Sequence, residues 1–209
     1  MELPQIRILE GRYVRLEPLE SRHVEGLLHA AQDEAGLYRW SLVPQGQSKI
    51  AAYVEAALAG RRAGTAVPYA TVSQAGGAVI GSTRFFNFER WAWPPDHAEH
   101  GRAVPDVCEI GYTWLSPKAI RSGANTEAKL LMLAQAFETW QLQCVCFHTD
   151  ARNERSRAAL QRIGAKFEGI LRSHRMASDY IPRDSARFSI VRSDWPEVKV
   201  RLQALLQRD

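Results

Sequence analysis

The sequence predicts an α/β fold built around one mixed sheet, and three observations carry that prediction. Two strand-like runs over 66–72 and 78–86 flank the turn residues Ala75, Gly76 and Gly77, which pairs them as an antiparallel hairpin. From residue 107 onward the chain reads strand, helix, strand, helix, strand, an order that sets helices against a partly parallel sheet. With 209 residues, 45% apolar and 24% charged, the chain can bury one sizeable core, and no composition shift divides it. A single domain over 1–209 is expected.

The elements follow in order. Residues 13–16 read as an early strand closed by Pro18. Ser21 stands where an N-cap belongs, and Val24, Leu27, Leu28 and Ala31 share one face of the helix it would open. A second helix is predicted over 50–59, ending near Gly60. After the hairpin, residues 87–106 hold three prolines, Trp91 and Trp93 without any period, which makes a long loop of the kind that often carries function. A strand over 107–115 precedes a helix over 126–142 that opens at Asn125 or Thr126 and carries Glu127 in its first turn. A short strand over 143–149, a helix over 153–163 stopped by Gly164, strands over 166–175 and 186–191, and a helix over 196–207 complete the pattern.

Composition narrows the function. No apolar run approaches the roughly 18 residues that span a bilayer, and the charged opening has no signal-peptide core, so no membrane association is expected. Three cysteines (Cys108, Cys144, Cys146) lack the spacing of a disulfide framework or a zinc site, which suggests a reducing, cytoplasmic setting. The formal net charge is +4, and the stretch 150–175, with seven Arg/Lys against three Asp/Glu, carries an equal excess. Such a basic zone suits an anionic partner, either nucleic acid or a phosphorylated cofactor, or it is a solvated helix face.

The most informative unit is the strand, loop and helix from Glu109 to Trp140. Free backbone N–H groups and the positive end of the helix dipole converge on the loop SPKAIRSGAN, where they can hold a pyrophosphate, with Lys118 and Arg121 adding charge. The loop has neither the spacing of a P-loop nor that of a dinucleotide-binding turn. No nucleophile elbow is present, and His97, His100 and Cys108 straddle the Pro-rich loop without metal-ligand spacing, so no metal is expected.

EIGYTWLSPKAIRSGANTEAKLLML followed by TDARNERSRAALQRIGAKFEG resembles the GNAT acetyltransferases, and within them the branch that acetylates the N-termini of ribosomal proteins. The resemblance runs from about Gly11 to Trp195. It implies a twisted mixed sheet flanked by helices, in which the strands at 107–115 and 144–149 are parallel and splay apart to receive the pantetheine arm of acetyl-CoA. Thr113, Trp114 and Leu115 would bind that arm. Arg121, Ser122, Gly123, Ala124, Asn125 and Thr126 would bind the pyrophosphate. The family's loop commonly has a glycine where this chain has Arg121, which therefore either pairs with a phosphate or marks a loop held differently. Asn153 matches an Asn that faces the cofactor, and it also suits a helix cap. Ser156 matches a serine near the cofactor sulfur. Leu160 stands where many members have a tyrosine acid.

Transfer requires an amine to lose a proton and attack the thioester, an oxyanion to be stabilised, and a thiolate to leave. The resemblance gives Ser156 the proton for the thiolate and the backbone N–H near Trp114 the oxyanion. Glu109, placed by strand alternation on the face of Gly111 and Thr113, is the candidate base acting through water; a structural ion pair is the alternative reading. Cys144 and Cys146 are expected to be inert buried thiols. Residues 33–48 and 87–106 are the irregular segments expected to bear on the acceptor, a small-molecule amine or a protein N-terminus, without a readable code for it; Trp91 and Trp93 either line the acceptor side or plug gaps. Nucleic acid is not expected as a partner, and the oligomeric state stays open, with a homodimer one option because family members often dimerise. The alternative in a different class is a non-catalytic acyl-CoA-binding or sensing domain on the same fold.

Overall fold

The computed structural model describes residues 6–32, 36–41, 43–177 and 180–207. Of the segment 33–48 expected to bear on the acceptor, residues 33–35 and 42 lie outside the described residues. Eight strands form one sheet among the described residues: β1 (Leu9–Glu10), β2 (Val14–Pro18), β3 (Ala66–Ser73), β4 (Val79–Glu89), β5 (Val107–Leu115), β6 (Cys144–Asp150), β7 (Lys166–Met176) and β8 (Pro182–Val191). Their order is β1-β2-β3-β4-β5-β6-β8-β7. Every neighbouring pair is antiparallel except β5 and β6, so the expected mixed sheet and its parallel pair are present.

Helices cover both faces. α3 (Gly123–Ala134), α4 (Glu154–Arg162) and α5 (Trp195–Leu206) close the larger core, where Leu16, Tyr69, Phe85, Met132, Phe147 and Phe188 are buried. α1 (Val24–Ala30) and α2 (Gln47–Arg62) cover the other face over β2 to β5, burying Leu19, Leu27, Ile50, Val54 and Trp114. No helix among the described residues is long and apolar enough to cross a membrane.

Three helices differ from expectation in their bounds; α2 begins at Gln47, three residues before the expected start, and runs through Gly60 to Arg62. Ser21 does not cap α1; it begins a 3-10 turn, Ser21–His23, capped by Glu20, whose backbone N–H donates to His23 Nδ1 at 3.0 Å. α3 begins at Gly123, earlier than Asn125 or Thr126, because Ser122 accepts from the Ala124 N–H and takes the cap first. The helix then continues through a π turn, Gln135–Thr139, to Trp140. Buried Glu127 ties α3 to the start of the sheet: its carboxylate accepts the backbone N–H groups of Arg12, Tyr13 and Val14 at 2.6–2.8 Å. Gly11 is required for that approach, since a Cβ there would lie 2.3 Å from the Glu127 Cδ.

Candidate active site

β5 and β6 pair only from Val107↔Cys144 to Glu109↔Cys146; beyond Glu109, β5 continues to Leu115 without its neighbour. The parting is reinforced by a bulge. Opposite β4 the register jumps from Ser82↔Trp114 to Arg84↔Gly111, so Tyr112 and Thr113 together face Thr83, and Tyr112 takes a left-handed φ of 51°. The extra residue inverts the alternation expected for this strand. Glu109 and Gly111 stay on the face of Phe86, whereas Thr113 turns to the α3 side and lies 2.7 Å from Thr83 Oγ1. The backbone of β5 therefore runs along an open wedge between two strands, with its hydrogen-bonding groups unclaimed by β6.

A cavity of about 690 Å³ fills this wedge. Of the residues expected from the sequence, Glu109, Thr113, Trp114, Leu115, Arg121, Ser122, Asn125, Asn153 and Ser156 line it. Gly123, Ala124 and Thr126 do not. Ala124 belongs to the core, and Thr126 is fully buried with its hydroxyl near Arg162 Nη2 at 3.3 Å. Gly123 packs against the Tyr13 ring, where a Cβ would sit at 3.1 Å. These three shape the helix start from within the core. Ser122 Oγ, which caps the helix, also donates to the Ala119 carbonyl at 2.7 Å and so fixes the loop. Arg121 is exposed and adopts φ 62°, a conformation that favours glycine, so its side chain is presented at the cost of backbone strain. Across the wedge, Asn153 Oδ1 accepts the Ser156 N–H at 3.0 Å, so its capping role is realised while it faces the cavity.

At the other end of the cavity Glu109 is buried among donors. Arg175 reaches it twice, at 2.6 and 3.0 Å, Asn87 Nδ2 donates at 2.9 Å, and His148 Nδ1 lies 3.1 Å away. Burial alone would raise the carboxyl, but the His148 and Arg175 contacts together outweigh it and hold it below the usual carboxylate range. Tyr38, Trp40, Ser41 and Val43, from the connection between α1 and α2, also line the cavity, and Tyr38 donates to the Leu115 carbonyl at 2.8 Å, at the C-terminal end of β5. The loop 87–106 takes no part in the cavity lining. It joins the N-terminal end of β5, whereas the wedge opens at the C-terminal end. Trp93 Nε1 and the Trp91 N–H both donate to Asp106, at 2.8 and 2.7 Å, and Trp93 stacks on His97. Cys108 is buried in the core, apart from those loop histidines.

The sequence profile described as "Acetyltransferase (GNAT) domain" matches residues 14–166. The chain belongs to the GNAT acetyltransferases. A GCN5-related N-acetyltransferase from Brucella melitensis shares 29% identity with this GNAT chain over 97% of it and 86% of the other, with a TM-score of 0.80. A candidate acetyltransferase from T. thermophilus is 33% identical, over 97% of this chain and 98% of that one, with a TM-score of 0.77. Mycobacterium smegmatis RimJ in complex with CoA-disulfide shares the fold at 21% identity, over 96% and 92% of the chains, with a TM-score of 0.74. A comparison with curated proteins gives no match.

Three groups in this GNAT site escaped the sequence reading. Lys129 lines the cavity from within a buried helix, and its only trace in the sequence is one lysine inside an otherwise apolar stretch. His148 and Arg175 join Glu109 from β6 and β7, strands that β8 separates, and Arg175 lies 66 positions from Glu109 in the chain. The cysteines also differ from expectation. Burial pushes the Cys108 thiol up, as for an inert thiol. Cys146 is held below its ordinary value by a contact with Cys144, Sγ to Sγ at 3.9 Å, with burial opposing and Arg187 assisting.

Proposed function

We propose that this protein transfers an acetyl group from acetyl-CoA to a primary amine by direct attack in a ternary complex. The observation that carries this reading is that one wedge-shaped cavity joins the open edge of β5, the start of α3, and the first turn of α4. An acyl-pantetheine arm needs backbone partners along an extended groove, and the β5 backbone from Thr113 to Leu115 supplies them. A pyrophosphate needs convergent N–H donors and positive charge, which the Ser122–Thr126 helix start and Arg121 supply. Asn153 flanks the arm from α4. The N–H near Trp114, beside the bulge, serves the oxyanion.

At the acceptor end the ionised Glu109 attracts the incoming ammonium and takes its proton through water, with Arg175 limiting its basicity. Ser156, in the first turn of α4, hydrogen-bonds the departing sulfur. The acceptor enters between Tyr38 and Trp40 on one side and Arg175 and Arg183 on the other. A protein N-terminus is our preferred acceptor, given the resemblance to the ribosomal-protein branch; small amines are the other class.

Calorimetric titration with acetyl-CoA, using adenine nucleotides as controls, tests the donor. Micromolar binding that requires the pantetheine arm supports the reading, and no binding sinks it. Turnover against Ala- and Ser-initiated peptides would remove the binding-only alternative. Ser156→Ala is expected to lower kcat at least tenfold while moving acetyl-CoA affinity less than threefold, and an unchanged kcat would take Ser156 off the reaction path.

A further inference from the structure

Lys129 is buried on α3, six residues past the helix start, and its residue is only 4% exposed. Its Nζ donates one hydrogen bond, to Thr113 Oγ1 at 2.7 Å, and no carboxylate among the described residues lies within ion-pair distance of it. The nearby acid of the same helix, Glu127, is committed to the backbone of residues 12–14. An ammonium buried without a counter-ion is costly, and burial lowers this group to about 7. A helix tolerates that cost where the group has a task, and Lys129 faces the cavity that would hold the thioester.

The surroundings define the task. The α4 wall opposite contributes Ala159, Leu160 and Ile163, none of which ionises. A serine hydroxyl can hydrogen-bond a thiolate but holds its own proton far more tightly than a thiol does, so Ser156 cannot be the net source. The charged and titratable neighbours are Glu109 and Tyr112 on β5, His148 on β6, Arg175 on β7, Arg183 on β8, Tyr38 between α1 and α2, Arg121 before α3, and Arg155 and Arg162 on α4; the Tyr38 hydroxyl is committed to the Leu115 carbonyl, and Tyr112 is exposed at the bulge. Arginines do not release protons at working pH, and Glu109 and His148 sit together at the acceptor end.

We propose that Lys129 is the proton donor to the thiolate released when a thioester in this wedge is cleaved, an inference that rests on the acetyl-transfer reading above. As the carbon–sulfur bond breaks, its electron pair goes to sulfur. One proton passes from the Lys129 ammonium to sulfur and forms the thiol. The amine left behind is recharged by the proton that the acceptor nitrogen loses on becoming an amide. An ordinary thiol has a pKa of about 8.5, so transfer from a group near 7 is downhill. Thr113, held at the bulge, fixes the direction of the amine.

The test follows the sulfur itself and needs no acceptor. CoA bound to the protein is titrated from about pH 6 to 10 while the ultraviolet band of the thiolate is followed, in the wild type, Lys129→Met and Lys129→Arg. Lys129→Arg, which keeps a permanent cation at the sulfur, is expected to ionise the thiol at least tenfold more readily than Lys129→Met and than the wild type, whose Lys129 gives up its own proton near 7, below the range of the thiol. A pure packing role for Lys129 would leave the thiol unmoved. Equal titration in all three, with CoA binding intact, overturns the proposal and leaves the acetyl-transfer reading standing. Failure of the wild type to bind CoA overturns both. Lys129→Arg keeps the comparison with wild type decisive if Lys129→Met does not fold, because a thiol no more acidic in Lys129→Arg than in the wild type would also overturn it.

Discussion

Arg121 holds φ 62° in the loop before α3, and a non-glycine residue in that region carries roughly 1–2 kcal/mol of strain. Two substitutions separate the backbone from the side chain. Arg121→Gly is expected to raise the melting temperature by about 2–4 °C while weakening acetyl-CoA binding, whereas Arg121→Ala weakens binding without the gain. Equal affinity in all three proteins would remove the guanidinium from the phosphate site. Glu109 supplies a second residue-level prediction. Its carboxyl is held below the ordinary range, since the His148 and Arg175 contacts outweigh desolvation, so its contribution is present above the unfolded carboxylate value and is lost as pH falls through the folded one. Glu109→Gln should cost about 3 kcal/mol in urea unfolding at neutral pH, by leaving Arg175 without its charge partner. The gap between variant and wild type should narrow below about pH 4, where the carboxylate of the unfolded wild-type chain begins to protonate while the folded one still holds its charge. A gap constant down to acid pH would mean the charge is immaterial.

α3 is where local signals and tertiary structure meet most directly. Gly11→Ala would push a Cβ to within 2.4 Å of Glu127 Oε2, displacing the carboxylate from three backbone donors. We expect a loss of about 2–4 kcal/mol in denaturant unfolding with acetyl-CoA affinity unchanged within threefold, since the carboxylate points away from the cavity. The helix itself was legible from its apolar run, but its first residue was not, because Ser122, Asn125 and Thr126 are all competent caps and only the loop decides among them. The strand at β5 was legible and its bulge was not: VCEIGYTWL carries no glycine or proline at Tyr112 to announce the left-handed turn, so simple alternation put Thr113 on the wrong face. Motif residues such as Asn153 and Ser156 stand out because the cap and the first turn of one helix place them close together in sequence. The donors around Glu109 do not, because three non-adjacent segments of the chain assemble them. Loop 87–106 had the composition of a functional segment, yet it is spent on closing the far end of β5 around Asp106.

Across the whole molecule the electrostatics favour anions at the cavity. The chain has a net charge of +4, and the lining carries Arg121, Lys129, Arg155, Arg162, Arg175 and Arg183 against Glu109 alone. In the proposed complex part of this charge would face the donor phosphates. At the acceptor end, however, Glu109 is already matched by Arg175, and Arg183 is a partly buried guanidinium whose Nε has no hydrogen-bond partner among the described residues. Desolvation lowers Arg183 first and Arg175 next to it adds to that effect, and Asp150 and Glu109 offset these only in part. An acceptor that brings a carboxylate a few ångströms from its reacting amine would relieve it, whereas a polycation would compound it. Peptides with Asp or Glu directly after the N-terminal residue should therefore show kcat/KM at least tenfold above matched peptides with Lys there, and polyamines should be poor acceptors. Because the field acts across a solvated mouth, with a Debye length falling to about 3 Å at 1 M salt, the ratio should compress to within about threefold at high ionic strength. The same ratio at low and high salt would assign the preference to direct contacts, and a preference for Lys would show that Glu109 governs the entrance despite its cationic neighbours.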